Sequence, residues 1–237
     1  MTPQPTDNYM VTIAERLTSA YARIAQAAKN NRRDEQSINL LAVSKTKPAD
    51  DIIAAYEHGQ RQFGESYVQE AVTKVTALAD YKDIIWHFIG PIQSNKSAQV
   101  ASHFDWVQSV DRTKIAKRLN EQRPADKVPL NVLIQVNISL EEAKSGCHPD
   151  ELMALAEFIS RCPNLCLRGL MAIPAKTDDA QLQLQYFEQL SACFDKLKAQ
   201  YPQVDTLSMG MSNDVEAAIA AGSTMVRIGT DIFGQRN

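Results

Sequence analysis

Eight short apolar runs, each adjoining an amphipathic helical stretch, limit what this chain can fold into more than any other feature. The runs fall at residues 38–43 (INLLAV), 61–66 (RQFGES), 83–90 (DIIWHFIG), 104–110 (FDWVQSV), 129–138 (PLNVLIQVNI), 165–173 (LCLRGLMAI), 205–210 (DTLSMG) and 225–230 (MVRIGT). Their length and branched aliphatic content suit strands buried on both faces of a parallel sheet, although the second is short and the seventh only moderately apolar. Between them, residues 48–58, 67–79, 93–102, 111–123, 149–161, 180–200 and 213–221 carry helical periodicity, with Pro48 opening the first, Gly59 closing it and Asp111 placed as an N-cap. An extra helix over 7–30 precedes them, with Met10, Ile13, Leu17, Tyr21 and Ile24 spaced by three and four. Eight βα units without a low-complexity linker predict one domain over 1–237, an α/β fold closed as a single (β/α)8 TIM barrel. The rival doubly wound sheet normally carries a Gly-rich turn after its first strand, and SKTKP has no glycine.

Composition narrows the partners. A formal charge of −3 with 22% charged and 44% apolar residues gives no electrostatic reason to expect nucleic acid or a membrane surface. No apolar run approaches the roughly 20 residues of a membrane span, and the opening MTPQPTDNYM lacks a secretory pattern, so a cytoplasmic protein is expected. Cys147, Cys162, Cys166 and Cys193 lack paired zinc-site spacing, and free thiols are expected. No metal site is predicted.

The first run leads directly into Ser44, Lys45, Thr46, Lys47 and Pro48, so Lys45 stands where a core strand ends. The carboxyl ends of barrel strands are where ligands bind, and an amine there either opens a solvated loop or is a nucleophile for Schiff-base chemistry. Barrel closure makes the eighth strand a neighbour of the first and brings the loops after strands seven and eight to Lys45. Those loops read SMGMSND and VRIGTDIFG: Ser212 and Asn213 follow Gly210 at a helix start, and Gly229 and Thr230 end the last strand, two turns suited to a phosphate. Alternation by two groups Arg227 with Met225 on the inward face, so Arg227 either reaches the site or is paired across the barrel end. His87 shares a face with Ile85 and Ile89, as a core histidine or a ligand contact. An amine, a phosphate cradle and an inward Arg together suit a phosphorylated aldehyde.

The segments LLAVSKTKP, FGESYVQE, WHFIGPIQSNK, SVDR, VNIS with EEAKSG, LRGLMAI, LSMGMSND and VRIGTDIFG resemble the pyridoxal-phosphate homeostasis proteins, whose barrel resembles the N-terminal domain of alanine racemase. The resemblance runs in one register from Leu40 to Gly234. It implies pyridoxal 5′-phosphate (PLP) as cofactor, held as a Schiff base on Lys45, with Ser212, Gly229 and Thr230 at the phosphate and Arg227 facing the pyridine nitrogen. Ser66 stands where the family usually has Asn, so no cofactor contact is carried over to it; Lys144 matches a family lysine, and Lys47 is read as solvated.

An Arg beside the ring nitrogen disfavours its protonation and weakens the cofactor as an electron sink. Alanine racemases also use Arg there, but add a second domain carrying a tyrosine base, and the sequence given ends at Asn237, seven residues after Thr230. The first expectation is therefore a carrier in intracellular PLP homeostasis that buffers or delivers the cofactor to apo PLP-dependent enzymes, as a monomer and with no catalytic residue of its own. A PLP-dependent racemase using Tyr67, His87 or a partner chain's residue as second base is the alternative. A cofactor-free Schiff-base aldolase is the third.

Overall fold

The computed structural model describes residues 11–141 and 143–235. Among the described residues the expected first helix starts at Ile13, with Thr12 as its N-cap, later than the expected residue 7; residues 7–10, Met10 among them, and Glu142 of the EEAKSG segment lie outside the described residues. Strands β1 (Asn39–Val43), β2 (Gln62–Glu65), β3 (Ile85–Phe88), β4 (Trp106–Val110), β5 (Leu130–Gln135), β6 (Leu165–Met171), β7 (Thr206–Met211) and β8 (Met225–Ile228) form a closed parallel barrel in sequence order. It is the expected TIM barrel. The seam joins β8 to β1, with Leu41 opposite Arg227 and Ala42 opposite Ile228.

The helices are α1 (Ile13–Asn30), α2 (Ala49–Glu57), α3 (Val68–Ala77), α4 (Ser97–His103), α5 (Thr113–Gln122), α6 (Leu152–Ser160), α7 (Ala180–Gln200), α8 (Val215–Ala220) and α9 (Thr230–Phe233). The extra N-terminal helix α1 opens with a capping box in which Thr12 and Glu15 satisfy each other's backbone N–H groups. Its buried stripe, Leu17, Ala20, Ile24, Ala27 and Ala28, packs beside α2, α8 and α9, over the seam. Phe63 and Phe88 of the strands, Phe104 at the end of α4 and Leu119 of α5 are fully buried.

Three local expectations are corrected. Asp111 does not cap α5, because Arg112 holds the N-cap position and the Asp111 carboxylate instead accepts from that Arg's guanidinium at 2.6 Å. The expected helix from Asn213 begins only at Val215. The last strand stops at Ile228, and Gly229 and Thr230 turn into the short α9, whose four residues are too few for periodicity to register.

Candidate functional site at the carboxyl end of the barrel

Lys45 follows β1 in a tight turn. The Ser44 N–H donates to the Gly64 carbonyl at 3.0 Å and the Lys47 N–H returns to the Ser44 carbonyl at 3.0 Å. The two-residue period places Lys45 on the face of Leu41 and Val43. Thr46 adopts φ +65°, a left-handed conformation that a β-branched residue reaches only under strain, and its N–H is held by Glu70 Oε1 at 2.6 Å. The loop carrying Lys45 is thus fixed by the side chain of a neighbouring helix.

Under that loop lies a buried charged cluster. Lys74 Nζ of α3 donates to the Ser44 carbonyl (2.8 Å), Glu65 Oε1 (2.9 Å) and Glu70 Oε1 (2.5 Å), while the Ser44 hydroxyl also donates to Glu65 Oε1 at 2.6 Å. Glu65 is fully buried and its Oε2 has no hydrogen-bond partner among the described residues. Burial raises the Glu65 pKa, and the Lys74 charge and the Ser44 hydroxyl pull it back. Sequence reasoning passed over this cluster; its one signal was a lysine sharing a helix face with Ala71 and Leu78.

Across the seam, Gly210 has φ +95°, and a Cβ there would lie 2.5 Å from the Ala218 Cβ, so only glycine lets α8 sit this close to the end of β7. The following turn is closed by Asp214 Oδ1, which accepts from the Met211 N–H at 2.5 Å, and Ser212 lies within it. Because α8 has only six residues, little helix dipole stands behind Ser212. Gly229 abuts β1: a Cβ would meet the Val43 carbonyl oxygen at 3.1 Å. Arg23 of α1 bonds to both turns: its Nη1 donates to the Ser212 carbonyl (2.6 Å) and to Oδ2 of Asp231 (3.0 Å), the residue after Thr230.

Arg227 is inward, as its alternation predicts, and buried. Nη1 donates to the Ser208 hydroxyl at 2.7 Å and Nη2 to the Ala172 carbonyl at 2.8 Å. The Ser208 hydroxyl donates to Gln108 Oε1 (2.7 Å), and Gln108 Nε2 donates to His87 Nδ1 (3.0 Å). Because β4 is not a neighbour of β7, this chain of bonds crosses the barrel interior. Burial lowers the Arg227 pKa to about 10, against the pull of Asp214, so the guanidinium stays charged at neutral pH. His87 is a core histidine: it stacks on Trp106 with ring centroids 5.2 Å apart, and burial lowers its pKa to about 3, which keeps it neutral.

The remaining candidates are spread more widely. Lys47 Nζ donates to the Gln235 carbonyl at 2.7 Å, and Lys144 Nζ to the Pro174 carbonyl at 2.7 Å. Tyr67 is exposed at the N-cap of α3, and the Ser66 carbonyl lies where a Cβ on Gly90 would collide. Cys147 is no nucleophile: burial pushes its thiol to about 12, and His148 Nδ1 instead accepts from the Asp150 N–H. A concavity lined by Asn39, Gln62, Trp106 and Arg168 opens at the strands' amino ends, away from Lys45. Among the described residues, no cluster of His, Cys, Asp or Glu could hold a metal ion, and no helix is long and apolar enough to cross a membrane.

The architecture is that of a barrel with an amine, an inward guanidinium and two glycine turns grouped at one end of the seam. The alanine racemase N-terminal domain family matches residues 16–237. The chain is 56% identical over 230 residues to the pyridoxal phosphate homeostasis protein of Pasteurella multocida, covering 96% of this chain and 99% of that one. It is 54% identical over 230 residues to the protein of the same name in Escherichia coli, covering 96% and 98%. Among solved structures, PipY of Synechococcus elongatus with PLP bound is 38% identical and superposes with a TM-score of 0.82 over 94% of this chain and all of that one. An alanine racemase from Corynebacterium glutamicum shares the fold (TM-score 0.67, 14% identity), and this chain spans 61% of its length. The chain belongs to the pyridoxal phosphate homeostasis protein family, within the alanine racemase N-terminal domain group.

Proposed function

We propose that this chain binds PLP as a Schiff base on Lys45 and serves intracellular PLP homeostasis, buffering the cofactor or delivering it to apo PLP-dependent enzymes without turnover of its own. The observation that carries the reading is the grouping of Lys45, Arg227 and the Ser212 and Gly229–Thr230 turns at the carboxyl end of one seam, in a chain 38% identical to a protein solved with PLP bound. Bound PLP supplies an electrophilic aldehyde and a phosphate dianion. The residues present fit both: an amine on a braced turn, and two turns bearing hydroxyls where Gly229 leaves room beside the Val43 backbone.

In this reading Lys45 Nζ bonds to the aldehyde carbon with loss of water, and the hydroxyls of Ser212 and Thr230 hold the phosphate with backbone N–H groups around Gly229. Arg227 can only donate, so a ring nitrogen facing it stays unprotonated. That arrangement favours holding PLP over carbanion chemistry, in keeping with relatives named for homeostasis. The protein acts as a monomer that meets its acceptor enzymes transiently. PLP titration of wild type and Lys45→Ala, followed by transfer to an apo PLP enzyme and racemase assays across amino acids, tests this. Wild type should bind and pass on PLP with no turnover; turnover that disappears in Lys45→Ala would establish the racemase instead.

A further inference from the structure

Arg23 belongs to none of the barrel segments, yet its guanidinium ties three elements together at the end of the seam. Nε and Nη2 form a fork on Glu216 Oε1 and Oε2 at 2.5 and 2.6 Å, and Nη1 donates to the Ser212 carbonyl at 2.6 Å and to Asp231 Oδ2 at 3.0 Å. Ser212 is one of the residues assigned above to the phosphate, and Asp231 directly follows another, Thr230. The same region carries three carboxylates, Asp214, Glu216 and Asp231, which would repel an incoming dianion. Arg23 is bonded to two of them.

We propose that Arg23 is the positioning residue of the phosphate cradle: from α1 it fixes the Ser212 turn against the Gly229–Thr230 turn and offsets part of the carboxylate charge around them. The role rests on the phosphate reading of Ser212, Gly229 and Thr230 given above. It requires arginine, because four acceptor atoms on three elements are met by one planar fork, which a lysine ammonium cannot reproduce. It also gives the extra N-terminal helix a function. The Arg23 side chain is 32% exposed and Glu216 56%, so these pairs add little to global stability, and their effect belongs to the local shape and charge of the turns.

Comparing PLP with pyridoxal, which carries the aldehyde but no phosphate, isolates this role. Both are titrated against the full chain as wild type, Arg23→Gln, Arg23→Lys and the triple variant Arg23→Gln/Glu216→Gln/Asp231→Asn, with thermal melts of each. Arg23→Gln should weaken PLP about tenfold, the scale of one charge-assisted contact, while leaving pyridoxal and the melting midpoint nearly unchanged. Arg23→Lys should fall between, and the triple variant should regain part of the loss. An undiminished preference for PLP over pyridoxal in Arg23→Gln and Arg23→Lys overturns the role of Arg23 alone. Equal wild-type affinity for PLP and pyridoxal removes the phosphate reading itself, and this role with it. Should Arg23→Gln not fold, Arg23→Lys decides: full PLP affinity there overturns the positioning claim.

Discussion

Replacing Lys74 by methionine isolates the buried cluster beneath Lys45. Lys74 and Glu65 are 8% and 0% exposed at the side chain, and the ammonium bonds both Glu65 and the Ser44 carbonyl. Methionine keeps the volume and helix propensity but leaves Glu65 buried without its cation. Removing one partner of a buried pair costs about 3–5 kcal/mol, and at roughly 2–4 °C per kcal/mol for a domain of this size the melting midpoint should fall by about 6–20 °C at pH 7. The sign of the pH dependence follows from burial, which raises the Glu65 pKa in the folded state and raises it further once Lys74 is gone. A carboxyl group whose folded pKa is raised costs nothing below its unfolded pKa and destabilises progressively as pH rises through the folded value. The deficit of Lys74→Met should therefore shrink between pH 7 and pH 5, and Lys74→Met/Glu65→Gln should recover most of it at pH 7, since removing both charges is close to neutral. Thermal melts of the three proteins at both pH values provide the assay. A pH-independent deficit, or no recovery in the double variant, would show that an unpaired Glu65 charge is not the source of the loss.

The core supports further predictions. His87 has a folded pKa of about 3, below its unfolded value near 6.5, so its contribution is complete above pH 6.5 and is lost as pH falls; about 2 kcal/mol should disappear between pH 6.5 and pH 5, and denaturant titrations of His87→Gln should show that dependence removed. Gly210→Ala meets both a φ of +95° and the Ala218 Cβ at 2.5 Å, and should cost about 2–4 kcal/mol in chemical denaturation. Thr46→Asn, which eases a left-handed backbone at φ +65°, should raise stability by about 0.5–1 kcal/mol without moving the Glu70 bond that holds the loop.

Much of this molecule can be read from residue order because its strands are local and its helices obey their periodicity. The stretch 180–200 coincides with α7, since Asp179 caps it and Phe187, Leu190, Phe194 and Leu197 all enter the core. Arg227 was readable as inward because alternation along a strand fixes the face. The chain of bonds that continues from it was not, since Ser208, Gln108 and His87 come from three other strands and meet only after closure. Arg23 and the Glu65–Lys74 pair left weaker traces for the same reason. A surface arginine on an amphipathic helix has an unremarkable pattern, and nothing in the spacing of α1 and α8 reveals that one guanidinium bridges them. Helix starts at Asp111 and Asn213 were misplaced because Asp and Asn cap helices and close turns by the same side-chain chemistry.

Lys45 is the residue proposed to carry the aldehyde. Borohydride reduction of the PLP-loaded protein, followed by peptide mapping, reads this directly. The PLP-loaded protein should be yellow, bleach on reduction and carry one pyridoxyl group, on the peptide containing Lys45, absent in Lys45→Ala. A label carried instead by Lys47 or Lys144, or unchanged labelling in Lys45→Ala, would contradict it.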